Sequence, residues 1–109
     1  MGSLQQRLYP NPLQSIDSAT FTGSYQALGS SLANASRIIK ITNNSTKDVT
    51  VSWDGINDHE FVPAGSFILL DASANREVSD ICEVSQGTQI LVKGSAGTGL
   101  VYLSSYYAR

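Results

Sequence analysis

Apolar and polar residues alternate along most of this chain with a period of two, the mark of strands with one buried face. The cleanest run is Val49-Thr50-Val51-Ser52-Trp53-Asp54, which puts Val49, Val51 and Trp53 on one side and Thr50, Ser52 and Asp54 on the other. Just before it, residues 37–42 are rich in β-branched side chains, and residues 43–47 between the two are turn formers. The pair is expected to form a hairpin. Further strands are expected over residues 21–28, 59–62, 66–71, 81–85, 88–93 and 100–107. Asp54-Gly55, Pro63-Ala64-Gly65 and Gln86-Gly87 mark turns, residues 71–80 a polar loop or single helical turn, and residues 94–99 a glycine-rich hairpin loop. Phe67-Ile68-Leu69-Leu70 does not alternate, and such a run suits a strand buried on both faces.

About seven or eight short strands at spacings of roughly 8–12 residues, with no sustained helical period, predict an all-β fold, an antiparallel β-sandwich or jelly roll. The first 20 residues read differently. Pro10 and Pro12 flank Asn11, polar residues fill most other positions, and X-Pro steps favour extended backbone. This segment is expected to be an extended N-terminal arm (residues 1–20) preceding the sandwich domain (residues 21–109), packed either on its own domain or, as the favoured reading, on a neighbouring subunit. Its apolar and proline residues Leu4, Leu8, Tyr9, Pro10, Pro12, Leu13 and Ile16 are the candidate interface. Tyr106 and Tyr107 join them, because adjacent strand residues face opposite ways and tyrosine suits interfaces.

Length and composition narrow the classes. With 109 residues the chain makes one domain, and 41% hydrophobic against 15% charged residues is a globular composition. The net charge is −2 and the seven basic residues are scattered, which argues against a nucleic-acid partner. Residues 1–18 lack the apolar core of a signal peptide, and the longest apolar run is four residues against about 20 for a membrane helix, so no membrane partner is expected. The sequons at Asn34, Asn43 and Asn44 read as loop and turn residues. One cysteine, Cys82, makes neither an internal disulfide nor, with the single histidine, a zinc site; it reads as a small buried hydrophobe.

Candidate chemistry is thin. Gly94-Ser95-Ala96-Gly97-Thr98-Gly99 is followed by no Gly-Lys-Ser/Thr and leads into a strand, so it is not a phosphate loop. Asp54, Asn57, Asp58 and Glu60 are the densest oxygen donors, but their spacing does not fit a calcium loop. His59 lacks a nucleophile elbow to serve, and Asp54 with Asp58 or Glu60 makes a poor glycosidase pair without a larger cleft. No catalytic, cofactor-binding or metal-binding residue is assigned, and the chain is expected not to be an enzyme.

Phe21-Thr22-Gly23-Ser24-Tyr25-Gln26-Ala27-Leu28-Gly29, Ile41-Thr42-Asn43-Asn44-Ser45, Val51-Ser52-Trp53-Asp54-Gly55 with Asp58-His59, Gly87-Thr88-Gln89, Lys93-Gly94 and Gly99-Leu100-Val101-Tyr102 together resemble the small virion proteins of tailed bacteriophages. The likeness runs over residues 21–107 and rests on strand and turn residues. It implies a many-copy virion structural protein, assembled in the bacterial host cytoplasm, whose partners are copies of itself and other virion proteins. A head decoration (cement) protein bound to the major capsid protein is the first expectation. A neck, head–tail connector or fibre-anchoring tail protein is the second. Outside that family, a carbohydrate-binding module using Trp53 with Tyr106 or Tyr107 is the alternative.

Overall fold

The computed structural model describes residues 8–71 and 84–108. They form nine strands: β1 (Leu8–Pro10), β2 (Gln14–Asp17), β3 (Gln26–Ala27), β4 (Ile38–Ser45), β5 (Val49–Ser52), β6 (Glu60–Val62), β7 (Phe67–Asp71), β8 (Leu91–Gly94) and β9 (Gly99–Ala108). A short 3-10 turn at Ser18–Thr20, capped by the Asp17 carboxylate on Ala19 N–H, follows β2. One sheet runs β1-β9-β4-β7, with β2 also paired to β9, and the other runs β3-β8-β5-β6. All these pairings are antiparallel. The first half of the roll, β2 to β5, is thus laid strand for strand against the second half, β9 to β6. The chain crosses between sheets at nearly every connection, which is jelly-roll connectivity.

Inward side chains of the two sheets meet in one core. Phe21, Leu28, Leu32, Ile39, Ile41, Val49, Val51, Val62, Ile90, Val92, Val101 and Leu103 are buried there. Each such aliphatic side chain contributes about 1.5–3 kcal/mol of transfer free energy. In β5 the alternation places Val49 and Val51 together on the buried face, as expected, while Ser52 from the other face is buried as well.

The partners of those strands differ from expectation. β4 and β5 are not a hairpin: β4 lies between β7 and β9, while β5 lies between β6 and β8 in the other sheet. Their buried residues face each other across the core instead of lining one face. The bend between them is held by Asn43, which is buried inside β4; the expected 43–47 loop begins only after Ser45. Its Nδ2 donates to the carbonyls of Lys47 (2.8 Å) and Val62 (3.0 Å), and its Oδ1 accepts from Ser45 N–H. The glycine-rich stretch after β8 likewise crosses from one sheet to the other and is not a hairpin loop. Gly99 has φ +104, and a Cβ there would sit 2.2 Å from the Asn44 carbonyl oxygen, so only glycine lets β9 start this close to β4. In residues 21–28 only Gln26–Ala27 is strand; Gly23, at φ +89, bends the chain so that Phe21 and Leu28 both reach the core. Val84 bridges Ser36, while Cys82 and the polar loop expected at 71–80 lie, beyond Asp71, outside the described residues.

The largest correction concerns the arm. Residues 8–17 pair along β9 of their own domain, so position 20 is not a structural boundary. β2 is the first strand of the roll, and Ser18 is buried, donating its hydroxyl to the Gly99 carbonyl. The register shows why prolines occur here. Pro10 is opposite Tyr106, but Gln14 is opposite Leu103, so four steps on one strand match three on the other. The segment 11–13 carries one extra residue, a bulge in an edge strand, where proline is tolerated. Asn11 fastens it: its backbone N–H donates to the Ser105 carbonyl, its Nδ2 donates to the hydroxyls of Ser36 and Ser105, and its Oδ1 accepts from Asn34.

Candidate functional site

The acidic turn between β5 and β6 is built from the inside of its own backbone. Asp54 Oδ1 accepts the N–H groups of Ile56 (2.8 Å) and Asn57 (2.9 Å) and the Ser52 hydroxyl, and Oδ2 accepts from Asn57 Nδ2. The two backbone donors hold its carboxyl well below the usual carboxylate range. His59 Nδ1 accepts the Trp53 N–H at 3.0 Å, and its Nε2 lies 4.0 Å from Asp54 Oδ2. Asp58 turns the other way, accepting from the Tyr25 hydroxyl and pairing with Lys93 at 3.1 Å, whose ammonium lies over the Tyr25 ring. Chemically this is a set of groups occupied in fixing a turn and joining it to the β3–β8 side. Among the described residues no three His, Cys, Asp or Glu side chains sit together in a way that could hold a metal ion.

The candidate interface residues divide. Leu8, Tyr9 and Pro10 on β1 come opposite Ala108, Tyr107 and Tyr106, forming one apolar corner of the β1–β9–β4 sheet. Tyr9 and Tyr107 pack ring against ring, with centroids 5.8 Å apart and planes at 30°. Tyr106 points to the opposite face and is exposed, as the alternation required; Pro12 and Leu13 protrude from the bulge. Ile16 departs from the expected interface: it is opposite Val101 and packs against the core. Leu4 lies outside the described residues. Trp53, which follows β5, packs against the core and reaches the β7 edge of the opposite sheet, where it lines a cleft with Ile68, Leu69 and Leu70.

A second apolar area centres on β7. The run Phe67-Ile68-Leu69-Leu70 is an edge strand, not a strand buried on both faces: Phe67 and Leu69 are each 56% exposed and Leu70 42%. Ile68 is partly buried against the core, and an open cleft of about 340 Å³ lies beside it, lined by Trp53, Glu60, Ile68, Leu69 and Leu70. On the outer face the Lys40 ammonium sits 4.6 Å from the centre of the Phe67 ring. A run without alternation fits a doubly buried strand and an edge strand with an apolar outer face equally well, so the sequence pattern alone does not find this surface. Comparison with known proteins finds no matching family model, no matching curated protein and no matching solved structure.

Proposed function

We propose that the chain is a structural subunit of a tailed-bacteriophage virion that acts through its surface, decorating or cementing the head as one of many copies. The observation that carries this reading is the exposed apolar surface of the β1–β9–β4–β7 sheet, at the β7 edge (Phe67, Leu69, Leu70) and at the β1–β9 corner (Leu8, Tyr9, Tyr106). Exposed apolar areas of this kind mark contact sites. Virion location comes from the sequence resemblance over residues 21–107, and a jelly roll is an architecture that capsid proteins, among others, use. Assembly at high copy number would add contact energy to a thin core. Quantitative mass spectrometry of particles released by the strain that carries the gene tests the reading. Copies numbering about a hundred or more per particle support a head decoration protein, about six to twelve a neck or tail ring, and absence from particles overturns the proposal.

A further inference from the structure

The four sheet edges are not equivalent. The β1–β2 edge carries Pro10, Pro12 and a bulge. In the other sheet, β3 is two residues long, and β6 is three residues long and runs straight into Pro63. Short strands, prolines and bulges are among the devices that keep sheet edges from pairing with other chains. β7 has none of them. It is five residues long, contains no proline or glycine, and exposes Phe67 and Leu69. The Asn43 N–H donating to the Ser66 carbonyl sets the phase of the β4–β7 ladder, so Ile68 and Leu70 bond toward β4 while Phe67 and Leu69 turn their backbone N–H and C=O groups outward.

Resting on the reading of the chain as an assembling subunit, we infer that β7 is its self-association edge: two copies pair β7 against β7, antiparallel about a two-fold axis at Leu69, and join their sheets into one. The occupant is a second copy because the strand is complementary to itself. Centring on Leu69 sets Ile68 opposite Leu70 of the partner subunit and Phe67 opposite Asp71 of the partner subunit. That carboxylate then comes to the outer face where Lys40 lies over the Phe67 ring, an opposite charge delivered to an ammonium already held in place. Leu69 meets Leu69 of the partner subunit in a pair that exchanges both backbone hydrogen bonds, at a Cα separation of about 5.5 Å. A two-fold contact of this kind closes on itself and leaves the β1–β9 corner to meet other virion proteins.

Sedimentation equilibrium over a wide concentration range is the test, with three variants. The unaltered chain is expected to dimerise reversibly. Leu69→Lys sets two like charges against each other across the axis and is expected to weaken the dimer by more than about tenfold, with an unchanged circular dichroism spectrum. Phe61→Lys, an equally exposed change at the β6 edge, is expected to leave it alone. In a Cys82→Ser background, Leu69→Cys is expected to form disulfide dimers at least about tenfold faster than Phe61→Cys, since 5.5 Å lies within the span of a disulfide. A chain that stays monomeric, a dimer indifferent to Leu69→Lys, or equal cross-linking at positions 69 and 61 overturns the inference. Particle copy number is read separately: a monomeric chain that is abundant in particles removes only the β7 pairing, and a β7 dimer absent from particles removes only the virion reading.

Discussion

Asn43 holds together the bend that follows β4. It is fully buried and ties the β4 end to Lys47, Val62 and Ser45 at the bend where the chain changes sheets. Asn43→Ala removes the donors and leaves two carbonyls and an N–H without it, so a loss of about 2–4 kcal/mol is expected in urea unfolding. Nothing in Asn43-Asn44-Ser45-Thr46-Lys47 distinguishes this residue from the turn formers around it, because its role depends on Val62, brought near only by the fold. Asp54 was more legible, since Asp-Gly announces a turn. Its folded-state carboxyl gives up its proton more readily than a free aspartate, which titrates near about pH 3.9. The stabilisation it lends is therefore complete above that value and is lost as pH falls through the lower folded-state value. NMR titration is expected to find Asp54 still ionised at about pH 3. Asp54→Ala is expected to speed amide exchange at Ile56 and Asn57.

At the scale of elements, the sequence pattern identified faces better than neighbours. Val49, Val51, Ile39 and Ile41 show by alternation which side of each strand is buried, but their alternation is the same whether the strands are adjacent in one sheet or opposed across a core. The jelly-roll pairing of β2 with β9 joins residues about as far apart as the chain allows, and no local signal carries it. Pro10 and Pro12 pointed away from regular strand, and a detached arm and a bulged edge strand satisfy that constraint equally. The two have different consequences. A detached arm is dispensable, whereas deletion of residues 1–20 takes away β2, the Ile16 contact with the core and the buried Ser18 bond to Gly99. That truncation is expected to lose the cooperative thermal transition of the full chain. An unchanged melting temperature would restore the detached-arm description.

For the whole molecule, a jelly roll whose described residues leave β7 as the least protected edge, with an apolar corner at β1–β9, is suited to being built into something larger. Leu8, Tyr9, Pro10 and Tyr106 of the corner stand out in the sequence as interface candidates, while the β7 edge is hidden behind a run whose apolar character suggests burial. In the polar cluster at residues 53–60, the densest in the sequence, Asp54, Asn57 and His59 are committed to one another and to the backbone, and Asp58 to Tyr25 and Lys93. Function on this account resides in contact surface, with β7 serving copy against copy and the β1–β9 corner facing other components. A cryo-electron microscopy map of the particles released by the strain that carries the gene tests this most directly. The account predicts the jelly roll in many symmetry-related copies, with the β1–β9 corner against another virion protein. Particles in which every ordered component is accounted for without this chain would contradict it.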